Sequence, residues 1–160
     1  MDLQQWLNET QLGEFCFTIL VSMLPVVELR GGIPFGVAAG LPLPAAFLAA
    51  FLGNILPVPF LILFIRRVFA WLKEHVPLVR GAVQWVEART EKKKAAVLKY
   101  QTWGLFIFVA IPLPGTGAWT GALIAAALDM RLKTAVPAIV AGVLTAGCII
   151  AVLTYGVLSL

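Results

Sequence analysis

The chain has very few of the residues that build catalytic and metal sites. It contains one histidine and two cysteines in 160 residues, and only 12% of its residues are charged. With His75 as the only histidine, neither a zinc cluster nor a Ser-His-Asp triad is expected. Cys16 and Cys148 lack a CxxC spacing and lie in apolar sequence, so we expect buried free thiols. The sequence therefore predicts no enzyme activity, no catalytic residue, no metal and no cofactor.

The chain is rich in apolar residues instead. Hydrophobic residues make up 61% of it, and its mean hydropathy is +0.95. A water-soluble domain of this length cannot bury so much apolar surface, whereas a lipid bilayer is a suitable solvent for it. We therefore predict an all-α integral membrane protein, a single multi-pass domain of residues 1–160 in the plasma membrane.

The charges are concentrated in one segment. Residues 66–101 hold nine Lys/Arg and three Asp/Glu. Cytoplasmic loops are enriched in basic residues, so this connector is predicted to be cytoplasmic and the acidic N-terminus to be outside. A basic segment beside a membrane favours lipid headgroups over nucleic acid as its partner. Its apolar residues recur at helical spacing and predict an amphipathic interfacial helix: Leu72, Val76, Val79, Val83 and Val86.

The two ends of the chain share one layout. Pro25 and Pro112 align at an offset of 87, and each half has an apolar arm, a Pro/Gly-rich break, a second arm, a turn and a long apolar helix. This layout predicts an internal duplication of the kind found in many transporters. The predicted units are repeat one, 15–65, with hairpin 15–41 and transmembrane helix 45–65, and repeat two, 103–158, with hairpin 103–128 and transmembrane helix 135–158.

The short arms predict re-entrant hairpins. A membrane span needs about 20 helical residues, and most of the arms are nearer to half that length. For residues 103–128 the length allows two alternatives, a re-entrant hairpin or a single crossing as a broken helix. The re-entrant alternative places Arg131 and Lys133 beside the connector, with eleven of the twelve basic residues inside. We therefore predict an inverted repeat with both termini outside and the hairpin tips meeting near the midplane.

The first hairpin break, "PVVELRGGIP" at 25–34, contains three residues that favour interruption of a helix, Gly31, Gly32 and Pro34. It also contains the only charges between residues 15 and 65, Glu28 and Arg30. Each costs about 2.5–3.5 kcal/mol at the centre of a membrane helix, and such residues usually mark a substrate or ion pathway. Desolvation favours proton uptake by a carboxylate, and a guanidinium matches phosphate or carboxylate. We therefore expect Glu28 to bind protons and Arg30 to bind an anion. Alternatively, the two side chains pair with each other or with free backbone groups and only lock the hairpin.

The second break, "IPLPGTGAWTG" at 111–121, predicts a helix N-terminus that attracts anions, with Thr116 as its cap. Its small residues have an alternative role in close helix packing.

In the first crossing helix, Pro57 and Pro59 predict a kink, and Asn54 is either part of the packed bundle or lines the substrate path. The candidate substrate- and ion-binding residues are Glu28, Arg30, Gly31, Gly32, Pro34, Asn54, Pro112, Pro114, Gly115, Thr116, Gly117 and Trp119.

The motifs "PVVELRGGIPFGVAAGLP" and "IPLPGTGAWTGALIA" together resemble the signature pair of the putative small multidrug export protein family, over nearly the whole chain. The layout of two re-entrant hairpins is similar to that of the DedA superfamily, which is linked to proton-coupled movement of undecaprenyl phosphate and to lipid scrambling. Glu28 and Arg30 match the acidic and arginine residues of DedA-like tips, whereas the second tip has no charged residue.

This resemblance implies a transporter of an anionic or amphipathic substrate, including lipid phosphates such as undecaprenyl phosphate, with proton coupling through Glu28. Two other readings remain open, a non-transporting structural or assembly protein and a multidrug exporter of cationic drugs. Because two crossings and two hairpins form a thin wall around buried charges, we expect a homodimer. The expected partners are membrane lipids, protons and a small amphipathic or lipid-phosphate substrate.

Overall fold

A computed structural model of the chain describes residues 10–75, 94–113 and 115–158, and all the regular structure in these ranges is helical. The predicted all-α class therefore agrees with the described part of the chain. Its helices, in chain order, are α1 (Gln11–Ser22), α2 (Glu28–Ala38), α3 (Leu43–Ile55), α4 (Val58–His75), α5 (Lys94–Ala110), α6 (Ala118–Ala127) and α7 (Leu132–Leu158).

Two helical segments are long and apolar enough to cross a bilayer. The first, Leu43–Leu72, has 30 residues and a mean hydropathy of 2.3, and the second, Leu132–Thr154, has 23 residues and a mean hydropathy of 2.5. The hydrocarbon core requires about 20 helical residues. The first segment comprises α3 and most of α4, with a break at residues 56–57 that contains Pro57, as the proline pattern predicted.

The outer surface of the long helices carries large apolar side chains. Such exposure is unfavourable in water, whereas helices that cross a bilayer require apolar side chains on their outer surface. The protein is therefore a helical membrane protein. The most exposed large apolar residues of α4 and α7 are Phe60, Phe64, Trp71, Val152 and Leu153.

Cys16 and Cys148 are both free. The predicted burial of Cys148 was wrong, because this residue lies on an outward face of α7 and is exposed.

Helices α1 and α2 lie side by side and run in opposite directions. A Cβ atom at Gly36 would meet the Thr18 side chain, and one at Gly40 would lie 3.5 Å from the Glu14 carboxylate. The connection between the two helices is only residues 23–27. Helix α3 packs against both of them.

The break in this first half is shorter than the sequence predicted. Gly31, Gly32 and Pro34 lie within α2, so the prediction that they interrupt the helix was wrong. Gly32 serves close packing, because a Cβ atom there would clash with Ser22 and lie 3.0 Å from the Cβ of Ala50. Pro34 is exposed, and it removes only the helical hydrogen bond to the carbonyl four residues earlier.

The same close approach of two helices occurs in both halves of the chain. Gly53 of α3 lies so near α1 that a Cβ atom would overlap the carbonyl oxygen of Ile19, and a Cβ atom at Gly142 of α7 would lie 3.0 Å from the carbonyl oxygen of Phe106 in α5. Phe106 follows Ile19 by 87 positions and Gly142 follows Gly53 by 89. Each long helix therefore packs on the first arm of its own half through a glycine.

Other contacts join the two halves. Helix α6 packs on α4, and α2 packs on α7. Midway along α4, Arg66 Nε lies 3.6 Å from Asp129 Oδ1 in the turn between α6 and α7. These contacts bring the α1–α2 connection to the α5–α6 connection.

Several predicted segments have different bounds in the structure. Residues 66–75 of the predicted connector continue α4, and residues 94–101 lie in α5. Most of the predicted amphipathic stripe, from Val76 to Val86, lies outside the described residues, as do residues 1–9 of the acidic N-terminus. The second crossing helix begins at Leu132, three residues before its predicted start.

Candidate functional site

The site is formed where the N-terminal end of α2 meets the loop between α5 and α6. Glu28 is the first residue of α2 and only 7% of its surface is exposed. Its φ of 47° lies in the left-handed region, which among the non-glycine described residues is shared only with Asp129. A non-glycine residue in this region costs about 1–3 kcal/mol, and such strain is concentrated at functional sites. The surrounding structure therefore holds the Glu28 carboxylate in a fixed position.

The Glu28 carboxylate caps a helix of the other half. Helix α6 begins after Gly117, and no side chain near it in sequence caps it. Instead, Glu28 Oε1 accepts a hydrogen bond of 3.2 Å from the backbone N–H of Trp119. The first N–H groups of a helix lack internal partners and favour negative charge. The prediction that Thr116 caps this helix was therefore wrong, because a carboxylate from the first half provides the cap.

Gly117 allows this contact by having no side chain. A Cβ atom at this position would overlap the carboxylate of Glu28. Its φ of −115° is accessible to any residue, so the requirement for glycine comes from space and not from backbone conformation. Gly115, in contrast, has a φ of 88° in the exposed turn, with nothing within 4 Å of a Cβ atom there.

Arg30 binds the loop that follows α5. Its Nη2 donates hydrogen bonds to the carbonyl oxygen of Ile111, at 3.3 Å, to the hydroxyl of Thr116, at 2.9 Å, and to the carbonyl oxygen of Thr116. The Thr116 hydroxyl also lies 2.6 Å from the Ile111 carbonyl oxygen and accepts from the Leu113 N–H at 3.2 Å. Because α5 ends at Ala110, a positive charge here stabilises the carbonyl end of that helix.

Glu28 and Arg30 do not form an ion pair with each other. In the described parts of the chain, the one ion pair is that of Arg66 with Asp129. Glu28 bonds to the start of α6 and Arg30 to the loop after α5, so both contact backbone groups of the second half. The sequence suggested two ways in which these side chains could lock the hairpin. Pairing of Glu28 with Arg30 was wrong, whereas bonding of both side chains to backbone groups is observed.

Trp119 contacts both ends of the α1–α2 connection. Its backbone N–H binds Glu28, and its indole Nε1 donates a hydrogen bond of 3.1 Å to the carbonyl oxygen of Met23. The sequence indicated Trp119 as a candidate binding residue, but nothing in it indicated Met23, because a backbone carbonyl is common to all residues. Through its side chain and its backbone, Trp119 therefore ties Met23 and Glu28 to the N-terminus of α6.

A small pocket lies beside these contacts. Its volume is about 10 Å³, about the space that one water molecule requires. Asn54 of α3 is 3% exposed, and its Oδ1 atom is buried with no hydrogen-bond partner among the described residues. Buried polar atoms nearly always have a partner, so this acceptor is an unusual feature. The lining residues are Glu28, Leu29, Arg30, Asn54, Val109, Gly117, Ala118, Val143 and Ala146.

The other candidate residues lie apart from this pocket or outside the described chain. Gly31, Gly32 and Pro34 lie on α2 but do not line the pocket, and Pro112 lies half-buried in the loop after α5. Pro114 lies outside the described residues. Within residues 10–75, 94–113 and 115–158, no group of three or more His, Cys, Asp or Glu side chains is placed to hold a metal ion.

Comparison with known proteins identifies a family. The sequence model of a family described as "Putative small multi-drug export protein" matches residues 28–149. The matched region begins at Glu28, directly after the α1–α2 connection, and includes Arg30, Asn54 and the loop between α5 and α6. No curated protein and no solved structure matches the chain.

Proposed function

The chain belongs to the putative small multi-drug export protein family, and on this basis we propose that it is a membrane transporter whose cycle is coupled to protonation of Glu28. The observation that carries the proposal is the hydrogen bond from the Trp119 N–H to Glu28 Oε1 beside a small pocket. This contact joins the two halves and depends on the charge of a single carboxylate. A proton on Glu28 therefore changes the contact between the halves.

The proposed topology is an inverted repeat of two re-entrant hairpins, with both termini outside and the connector in the cytoplasm. The contact between Arg66 and Asp129 supports it, because Arg66 directly follows the predicted transmembrane helix 45–65 and lies near the turn that precedes Arg131 and Lys133. A second hairpin that crossed the membrane would separate these residues by the thickness of the bilayer. The matching glycine contacts at Gly53 and Gly142 support the duplication.

The proposed mechanism follows from what Glu28 holds in place. As a carboxylate it occupies the N-terminus of α6, which is an attractive site for any anion. When a proton binds to an oxygen of Glu28, the negative charge is lost and the contact with the Trp119 N–H weakens. The N-terminus of α6 then becomes available to an anionic group of the substrate, beside Arg30 in the same pocket. Return of the proton to the solution restores the contact and releases the substrate.

The substrate that fits this mechanism has an anionic group and an apolar body. A phosphate-bearing lipid, such as undecaprenyl phosphate, has both, since its phosphate matches Arg30 and its chain remains in the bilayer. The proposed partners are accordingly membrane lipids, protons and a second copy of the chain in the plasma membrane, where the exposed apolar faces of α4 and α7 offer surface for a homodimer. Light scattering in detergent tests the dimer.

A second candidate function is a non-transporting membrane protein with permanently packed tips. The three acceptors of Arg30 Nη2 favour it, because these bonds and the Glu28 cap complete the ends of α5 and α6. In this case the charges stabilise the fold and have no substrate. An exporter of cationic drugs is a further alternative. It is distinguished from the first proposal by comparing the movement of a cationic probe with that of a phosphate-bearing probe.

Transport into liposomes tests the proposal. The purified chain is reconstituted, and uptake of a fluorescent polyprenyl phosphate is measured with and without a pH gradient, with the cationic dye ethidium as the comparison probe. We expect gradient-driven movement of the phosphate probe in the wild type and its loss in Glu28→Gln. Glu14→Gln is the matched control, since Glu14 lies beside Gly40, at the end of the α1–α2 helix pair opposite Glu28. This variant should leave the movement unchanged.

Each other outcome selects an alternative. Unchanged gradient-driven movement in Glu28→Gln contradicts the proton switch. Movement of ethidium but not of the phosphate probe favours the cationic exporter. Loss of folding in Glu28→Gln, with no movement of either probe in the wild type, favours the packed membrane protein.

A further inference from the structure

Asn54 has a side-chain oxygen that nothing in the described structure satisfies. Its Oδ1 atom is buried and its residue is 3% exposed, in a helix that carries no charged side chain. Leaving a buried acceptor unpaired costs about 1–3 kcal/mol. The oxygen therefore requires a hydrogen-bond donor, which the carboxylate form of Glu28 cannot provide.

Glu28 lines the same pocket, and one of its protonation states is a donor. A carboxylate only accepts hydrogen bonds, whereas a carboxylic acid has one O–H group to donate. The pocket contains Glu28 and Asn54 together and has space for about one water molecule. We propose that Asn54 Oδ1 accepts the hydrogen bond of the protonated Glu28 carboxyl group, directly or through one water molecule, so that the pocket stores the proton. This inference rests on the proposed proton coupling at Glu28.

Under this proposal, Glu28 has two hydrogen-bond partners that alternate with its protonation state. The charged form accepts from the Trp119 N–H, and the protonated form donates toward Asn54. The proton moves from water onto a Glu28 oxygen and returns to water, and no other bond is made or broken. Asn54 is then a positioning residue, because it acts on the substrate only through Glu28.

Few charges compete with this exchange. Arg30 is the other charged side chain that lines the pocket. Among the helices that pack on α2, α3 has no charged residue, and the charged residues of α1 and α7 are Glu14 and Lys133. Glu14 lies beside Gly40 at the far end of α2, and Lys133 precedes the pocket residue Val143 by ten positions, about 15 Å along a helix.

Infrared spectroscopy of the full chain in lipid nanodiscs tests the inference without any substrate. The protein carries ¹³C-labelled glutamate carboxyls, and the band of protonated Glu28 is identified by its disappearance in Glu28→Gln. Asn54→Leu keeps a similar volume and removes the acceptor. We expect the pH at which half of Glu28 is protonated to fall by about 0.5–1 unit in this variant, the effect of one net hydrogen bond.

The direction of the change decides the role of Asn54. A fall supports an acceptor for the protonated form, no change overturns the inference, and a rise also overturns it because Asn54 would then donate to the charged carboxylate. Thr18→Val is the matched control, since it replaces a buried polar side chain of α1 that already donates to the Glu14 carbonyl at 2.7 Å. We expect no change in the control.

A second measurement applies even if Asn54→Leu does not fold. In the wild type, the C=O frequency of protonated Glu28 should be that of a hydrogen-bonded carboxylic acid, and the frequency of a free acid overturns the inference.

Failure of the proposed transport function gives a different result from failure of this inference. If Glu28 depends on Asn54 but no probe responds to a pH gradient in liposomes, the inference stands and the transport proposal fails.

Discussion

Glu28 and Trp119, 91 positions apart in sequence, are joined by a 3.2 Å hydrogen bond from the backbone N–H of Trp119 to Oε1 of Glu28. The donor belongs to the first turn of α6, and the acceptor is the first residue of α2. A charge in the first half of the chain thus completes a helix in the second half. Several variants separate the role of this contact in stability from its role in function.

Gly117→Ala should break the contact without removing a charge. A Cβ atom at this position overlaps the Glu28 carboxylate, so the carboxylate must move away from the Trp119 N–H. We expect the free energy of unfolding in detergent to fall by about 1–3 kcal/mol. Gly104→Ala is the control, because nothing lies within 4 Å of a Cβ atom at this position of α5. It should leave stability unchanged or raise it by up to about 1 kcal/mol, and equal losses in both variants would contradict the close contact.

Trp119→Phe tests the second bond of this residue. The change removes the indole donor to the Met23 carbonyl and keeps an aromatic ring and the backbone N–H. The loss of one hydrogen bond should lower the free energy of unfolding by about 1 kcal/mol. Trp103 is 60% exposed, so Trp103→Phe should change stability by less than about 0.5 kcal/mol. A Trp119→Phe variant as stable as wild type would show that the bond to Met23 contributes nothing measurable.

Arg30→Lys tests the anion role of the guanidinium. Lysine keeps the positive charge but lacks the planar fork that binds phosphate with two parallel hydrogen bonds. We expect the protein to fold and its affinity for the fluorescent polyprenyl phosphate to fall by about tenfold, the effect of one charge-assisted hydrogen bond. Arg67→Lys, at an exposed position of α4, should bind as wild type does. Equal affinity in all three proteins would limit Arg30 to its bonds with Ile111 and Thr116.

Cysteine labelling tests the predicted sides of the membrane. Cys16 and Cys148 are first replaced by serine, and single cysteines are introduced as Gln4→Cys, Lys92→Cys and Arg131→Cys. With an impermeant maleimide added to intact cells, we expect labelling at position 4 alone, and labelling at 92 and 131 only after permeabilisation. Labelling of position 131 but not of 92 in intact cells would mean that residues 103–128 cross the membrane.

The apolar layout of the sequence was sufficient to predict the long helices. Runs of apolar residues predicted two crossing helices, and Pro57 marked the break between α3 and α4. The isolated charges drew attention to Glu28 and Arg30, which do line the pocket. These features depend on local composition, which the sequence contains directly.

The partners of the charges could not be predicted in the same way. Glu28, Arg30 and Trp119 bind backbone N–H and C=O groups of distant residues, and such groups occur at every position of a chain. Gly32 was interpreted as a helix breaker because a glycine needed for close packing looks the same in sequence as one needed for a turn. The position of Asn54 in the pocket depends on the rotation of α3, which its neighbours Phe47 and Ala50 influence only through packing with other helices.

The caps that the first half provides for helices of the second half also constrain how the chain is made. Glu28 and Arg30 are synthesised more than eighty residues before Ile111 and Trp119. Until the later residues emerge from the ribosome, both charges lack the backbone partners that they have in the finished fold, and unpaired polar groups are costly in hydrocarbon. We therefore expect residues 10–40 to remain at the water interface or within the insertion machinery during synthesis, and to enter the bilayer only when the second half is complete.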